Sequence, residues 1–228
     1  MTGLPPSTFT VLGASGYIGS RLVAHLQAQG HTVWAPTRGD TEVFTRPLGH
    51  VIYCVGLTAD FRTRPFDTVD AHVGLLAEVL RRAQFDSLLY LSSTRVYMGA
   101  ASTHEDAPLS VLPGDPSYLY NLTKLTGESL CHACGRPGVR VARLSNVVGP
   151  GMDSASGNLV ADLLRQARQG HIVLRSDPQV EGPSHPCCRR GVVIFYDREG
   201  NRLWQTICTR YFSEPRNPQP SCKAFSKR

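Results

Sequence analysis

Tyr120 and Lys124 stand four residues apart in the run Tyr120-Asn121-Leu122-Thr123-Lys124. On a helix this spacing puts a phenol and an ammonium on one face, a turn apart. A free tyrosine ionises at about pH 10, so at neutral pH it is a poor base. A fixed cation beside it favours the phenolate and makes the pair a proton-transfer device. Hydroxyls also gather in Tyr90-Leu91-Ser92-Ser93-Thr94. Ser93 could hydrogen-bond the same substrate oxygen and spread the charge that develops there. A third polar cluster, Arg143-Leu144-Ser145-Asn146-Val147-Val148-Gly149-Pro150, closes an apolar run with a glycine-containing loop.

These groups need a scaffold and a redox partner, and the N-terminus points to both. Phe9-Thr10-Val11-Leu12 reads as a buried strand, and Gly13-Ala14-Ser15-Gly16-Tyr17-Ile18-Gly19 follows it. From Tyr17 onward, apolar residues fall at Ile18, Leu22, Val23 and Leu26, which is helical spacing. Strand, glycine turn and helix start together make a cradle for a pyrophosphate. The glycines let backbone approach closely, and the first helical N–H groups face the anion. Gly13, Ser15, Gly16, Tyr17, Ile18 and Gly19 are therefore the expected dinucleotide contacts. An oxidised nicotinamide would add a second positive charge near Tyr120, and Lys124 could also hold the nicotinamide ribose.

Apolar runs at Phe9–Leu12, Thr32–Ala35, His50–Val55, Ser87–Leu91, Val139–Leu144 and His171–Leu174 read as strands. Helical patterns at Tyr17–Gln29, Asp67–Ala83, Ser117–Cys134 and Ser156–Gln169 lie between them. Continuous apolar strands alternating with helices predict an α/β fold, a doubly wound, Rossmann-like parallel sheet covered on both faces. Ligands of such a sheet sit beyond the carboxyl ends of its strands. Only about a dozen residues separate the second strand from the third, too few for a helix, a strand and another helix.

The 228 residues suffice for one sizeable core, and 41% hydrophobic with 18% charged residues is ordinary for a globular chain. The net charge of +6 is unevenly placed, with a surplus of one over residues 1–180 and of five over 181–228. The second stretch also holds Cys187, Cys188, Cys208 and Cys222 and five prolines. It has neither a clustered basic helix nor stacking aromatics, so no nucleic-acid partner is expected. No apolar run is long enough to cross a bilayer and the start lacks a signal core, so the expected location is cytoplasmic, away from membranes. Seven cysteines without a framework read as reduced thiols. Cys131-His132-Ala133-Cys134 has no second pair nearby and reads as a core or half-exposed pair; no metal site is expected. His25 and His72 read as packing or surface residues of helices.

Four motifs in order, Gly13-x-x-Gly16-x-x-Gly19, Leu91-Ser92-Ser93-x-x-Val96-Tyr97, Tyr120-x-x-x-Lys124 and Arg143-Leu-x-Asn146-x-x-Gly149-Pro150, resemble one family. It is the extended short-chain dehydrogenases/reductases, in the nucleotide-sugar epimerase/dehydratase branch, and the likeness runs over about residues 8–180. The resemblance implies that Ser93, Tyr120 and Lys124 are catalytic and that Tyr120 and Lys124 also contact the dinucleotide, with Ser93 preferred to Ser92 and Thr94 because it stands three residues before Val96-Tyr97. It implies that Asn146 contacts cofactor or substrate, that Glu105 lies in the loop lining the sugar pocket, and that the chain forms a homodimer through two helices. Relatives using NAD end the second strand with an acidic residue, whereas this chain has Ala35-Pro36-Thr37-Arg38. Arg38 could clamp a 2′-phosphate, which favours NADP, while Asp40 keeps NAD open.

Two domains are expected: an NAD(P)-binding unit over 1–180, and a divergent basic, Cys- and Pro-rich segment over 181–228. The family's small substrate-binding lobe is expected to be shortened or altered there, as in a truncated or frame-altered relative or one with a variant tail of its own fold. Two functions follow. One is an NAD(P)-dependent epimerase, dehydratase or reductase of a nucleotide-linked sugar or similar carbohydrate. The other is a non-catalytic dinucleotide-binding protein of the same fold, regulatory or decayed.

Overall fold

The computed structural model describes residues 6–171, apart from 59, 106, 146, 148, 150 and 153–158. Five strands form one parallel sheet in the order β2-β1-β3-β4-β5. They are β1 (Thr8–Leu12), β2 (Thr32–Trp34), β3 (His50–Tyr53), β4 (Ser87–Ser93) and β5 (Val139–Leu144). The first five expected strands are all present; 172–174 of the sixth lie outside the described residues. The chain steps outward from β1 to β2, then crosses back to β3 on the other side of β1. That reversal opens a crevice outside the carboxyl ends of β1 and β3, where ligands of open α/β sheets bind.

Why the strands read as unbroken apolar runs is visible in the packing. Ile52, Leu89 and Leu91 point to one face with Phe9, Val11, Leu22 and Leu26. Their neighbours Val51, Tyr53, Leu88 and Tyr90 point to the other, with Leu76, Val79, Leu80 and Cys131. Side chains alternate along a strand, so a sheet covered on both faces needs apolar residues at every position. Burying each large aliphatic or aromatic side chain contributes about 1.5–3 kcal/mol before the entropy of ordering is subtracted.

Helix α1 (Tyr17–Ala28) covers the first face. The second is covered by α2 (Pro65–Val69), a π turn (Asp70–Gly74), α3 (Leu75–Arg82) and α4 (Leu119–Ala133). The helix expected over 67–83 is thus interrupted by a wider turn. Its loosened carbonyls are taken up by two sheet tyrosines: Tyr53 donates to Ala71 O at 2.6 Å and Tyr90 to His72 O at 3.4 Å. The short link between β2 and β3 holds only a 3-10 turn, Thr41–Phe44, started by Asp40 accepting from Glu42 N. Helix α4 is entered through a second such turn, Pro116–Tyr118, capped by Asp115. Beyond β5, α5 (Leu159–Arg168) lies within the expected 156–169.

Candidate active site

The glycine turn is shaped by contacts that exclude any side chain. Gly13 has φ +83, and a Cβ on it would stand 2.9 Å from the backbone of Cys54 and Val55. A Cβ on Gly19 would overlap the Gly13 carbonyl, because α1 starts pressed against the turn. Gly16 N donates to Gly13 O at 3.1 Å, and Gly16 supplies no side-chain cap to α1. Ser15 and Gly16 are exposed, while Tyr17 and Ile18 are half-buried. The opening N–H groups of a helix have no partner within it, so this uncapped end suits an anion. It lies beside the carboxyl end of β3, at the crevice where the strand order reverses. These residues fit a dinucleotide's pyrophosphate.

Across the crevice, β4 ends at Ser93, two residues later than the apolar run suggested. Ser93 also caps the 3-10 turn Thr94–Tyr97 by accepting from Arg95 N at 3.2 Å, which leaves its own proton to point at Tyr120. The side chains of Ser93 and Thr58 lie near the Tyr120 hydroxyl and favour its ionised form. Its ring is walled in by Phe61, centre to centre 5.6 Å, and by the edge of His72 at 5.2 Å. Burial pushes this phenol above its ordinary ionisation range, while Ser93, Thr58 and the Arg95 charge pull it back.

Lys124 is buried one helical turn along. Its Nζ donates to Leu91 O at 2.9 Å and sits 6.0 Å from the centre of the Tyr120 ring. Burial pulls the ammonium down to about 8, opposed by Cys54 and Glu128. A Cβ on Gly56 would come within 3.4 Å of Nζ, so the missing side chain keeps the loop after β3 open above the ammonium. The expected Ser93, Tyr120 and Lys124 thus gather at the carboxyl ends of β3 and β4, a loop away from the glycine turn.

Two further constellations surround them. His72, in the π turn, is fully buried and accepts from Leu57 N at Nε2, 3.2 Å. Its Nδ1 lies 2.8 Å from Thr123 Oγ1, which donates to Tyr120 O at 3.0 Å. An accepting Nε2 assigns the proton to Nδ1, so the ring is neutral and donates to Thr123. Burial and the Lys124 charge bring its pKa down to about 3. Glu128, a turn beyond Lys124, accepts from Ser92 Oγ at 2.5 Å and from Arg143 at 2.7–3.1 Å. Arg143 also donates to Tyr97 Oη at 2.7 Å and to Glu105 O at 3.1 Å. This buried pair ties β4, β5, α4 and the loop carrying Glu105 into one corner.

Arg38 stands apart, with a side chain 87% exposed and its nearest carboxylate, Asp67, 3.9 Å away. Asn146 and the segment 181–228 lie outside the described residues. Sequence reasoning did not single out Thr58, His72, Arg95 or Glu128 for the site. Only the i, i+4 spacing of Lys124 and Glu128 hinted that Glu128 shares a helix face with the ammonium.

Residues 9–181 match the model of the NAD dependent epimerase/dehydratase family. Among solved structures, MoeE5 in complex with UDP-glucose and NAD is 25% identical, with a TM-score of 0.56 over 73% of this chain and 62% of that one. RMD from Pseudomonas aeruginosa complexed with NADPH is 26% identical, with a TM-score of 0.53 over 73% and 64%. UDP-glucuronic acid 4-epimerase from Bacillus cereus, in complex with UDP-glucuronic acid and NAD, shares the fold at 19% identity. Its TM-score is 0.55 over 72% and 64%. The chain spans less than two thirds of the length of each of these proteins. A family match over three quarters of the sequence, on a parallel sheet with a glycine cradle, places this chain in the NAD dependent epimerase/dehydratase family.

Proposed function

We propose that the chain is an NAD(P)-dependent oxidoreductase acting on a nucleotide-linked sugar, by epimerisation, dehydration or keto-reduction. One observation carries this: Ser93, Thr58 and Tyr120 share one corner, with Lys124 a turn away and the glycine cradle across the crevice. The dinucleotide, when bound, supplies hydride exchange at a carbinol or carbonyl carbon and, in its oxidised form, a positive charge.

The chain's own residues handle the proton. At rest Tyr120 is a neutral phenol, because burial outweighs the hydroxyls and the Arg95 charge. Added positive charge in the crevice favours the phenolate, so the phenol takes the substrate hydroxyl proton in one direction and returns it in the other. Ser93 holds the same oxygen and stabilises charge on it. Lys124, protonated at neutral pH and anchored on Leu91 O, has donors left for ribose hydroxyls. Gly13, Ser15, Gly16, Tyr17, Ile18 and Gly19 hold the pyrophosphate. Arg38, exposed at the end of β2, takes a 2′-phosphate, which favours NADP over NAD.

The test is titration with NADPH and NADH, then a panel of nucleotide sugars read by nicotinamide absorbance. Turnover that Tyr120→Phe abolishes supports the reading. Tight dinucleotide binding without turnover on any sugar would overturn it in favour of a non-catalytic dinucleotide-binding protein.

A further inference from the structure

The charge of Arg95 acts on Tyr120 across space, yet the mechanism gives its guanidinium no ligand. Its backbone is fixed, because its N–H is held by Ser93 Oγ and its carbonyl accepts from Asn121 Nδ2 at 3.1 Å. Its side chain is different. The guanidinium lies over Phe61, 5.4 Å from the ring centre, and beside Tyr120 at 5.9 Å. Its hydrogen bond among the described residues is a long one, Nη2 to Ser117 O at 3.4 Å, and no described carboxylate pairs with it. The two buried side-chain polar atoms without a partner among the described residues are Arg95 Nε and Asn121 Oδ1. Both belong to this one pair of neighbours, one a donor and one an acceptor, and orphaned buried polar atoms call for an explanation.

Arg143 gives the contrast within the same molecule. Its guanidinium is saturated by Glu128, Tyr97 and the Glu105 carbonyl. Arg95 is an equally planar fork, stacked on aromatic rings and held at the phenol, with most of its donors unspent. A guanidinium fork matches a carboxylate or phosphate through paired hydrogen bonds.

We propose that Arg95 is a specificity-determining residue that receives an anionic group of the substrate, and that this group is the sugar's own carboxylate. The chain would then take a nucleotide-linked hexuronate in preference to the neutral hexose. This rests on the functional reading above. The sugar is favoured over the diphosphate as the anion's source because Arg95 stands at Tyr120, where the reacting hydroxyl must lie.

The experiment is calorimetry on the full chain with NADPH or NADH present. The ligands are UDP-glucose, UDP-glucuronate, GDP-mannose, GDP-mannuronate, UDP and GDP. In one nucleotide series the hexuronate should bind at least about tenfold more tightly than the hexose, as a hydrogen-bonded charge pair warrants. Arg95→Gln should bring that ratio to within about threefold while hexose and bare-nucleotide affinities hold. Arg95→Lys should keep part of the preference, since charge remains without the fork. Equal binding of hexose and hexuronate by the unaltered chain would overturn the role of Arg95 and leave the proposed function standing. Loss of UDP or GDP affinity in Arg95→Gln would overturn it by assigning Arg95 to the diphosphate. Absence of binding by all four sugar nucleotides would overturn the proposed function and this inference together.

Discussion

Lys124 Nζ lies beneath the Tyr120 ring, 6.0 Å from its centre, and donates to Leu91 O instead of to the phenol. The groups that act on the hydroxyl are Ser93, Thr58 and the Arg95 charge. Under the proposed function, proton handling by Tyr120 and dinucleotide holding by Lys124 are therefore separable by mutation. Tyr120→Phe should lower turnover by about 10²–10⁴-fold, the usual contribution of a positioned acid–base group, while leaving dinucleotide affinity nearly unchanged. Lys124→Met should weaken dinucleotide binding itself. Single-turnover rates set beside fluorescence titrations of the nicotinamide would separate the two. Equal losses of affinity in both variants would refute the division of labour.

Arg38 has no strong partner among the described residues, where its nearest carboxylate is 3.9 Å away and the side chain is open to solvent. If it receives a 2′-phosphate, Arg38→Gln should cost about tenfold or more in NADPH affinity. NADH affinity should stay within about threefold, because NADH lacks that phosphate. Parallel titrations with both dinucleotides decide it, and an equal loss for the two would remove Arg38 from cofactor choice.

The Glu128–Arg143 pair is nearly dry, with side chains 6% and 17% exposed. Glu128→Gln should destabilise the fold by about 3–5 kcal/mol, because it strands a guanidinium in a poorly hydrated corner. Removing both charges together, as Glu128→Leu with Arg143→Met, should cost clearly less than the two single changes added. Urea unfolding of the four proteins of this cycle measures the coupling. Additive losses would show that the two side chains act independently.

His72 supplies a pH signature. Its folded pKa is drawn to about 3 from 6.5, mainly by burial. As pH falls below 6.5 the unfolded chain takes up a proton that the folded chain refuses. Stability contributed by the neutral ring is present above 6.5 and is lost progressively as pH falls toward 3. His72→Asn should flatten this loss between about pH 7 and pH 5, a window above most carboxylate titration. Denaturation midpoints across that range would show it, and identical slopes for the two proteins would rule it out.

Much of the fold was legible because it rests on local pattern. Strands β1 to β5 and helix α1 fall within a residue or two of their apolar runs, and the glycines of 13–19 meet the steric demands read from their spacing. The wider turn at Asp70–Gly74 was not legible. Its cause is the pair of tyrosine hydroxyls offered by β3 and β4, which no local pattern contains. His72 reads from its helical position as a packing or surface residue, and it does pack, yet its partners Leu57 and Thr123 lie 15 and 51 residues away. Tyr120 and Lys124 share a helix face as their spacing required. Spacing could not say that the ammonium would pass under the ring to a strand carbonyl, because that depends on how closely α4 approaches β4. Gly127 sets this approach: a Cβ there would overlap the Tyr90 hydroxyl.

The five-residue π turn makes chain length between Asp70 and Gly74 a fixed quantity. Deleting one residue would let the segment wind as ordinary helix with its flanks nearly in place, because a π turn takes about one residue more than an α turn. Ala71 O and His72 O would then accept within the helix, and the Tyr53 and Tyr90 hydroxyls would lose them. A one-residue deletion in this stretch therefore removes both tyrosine contacts at once, which no single substitution within it does.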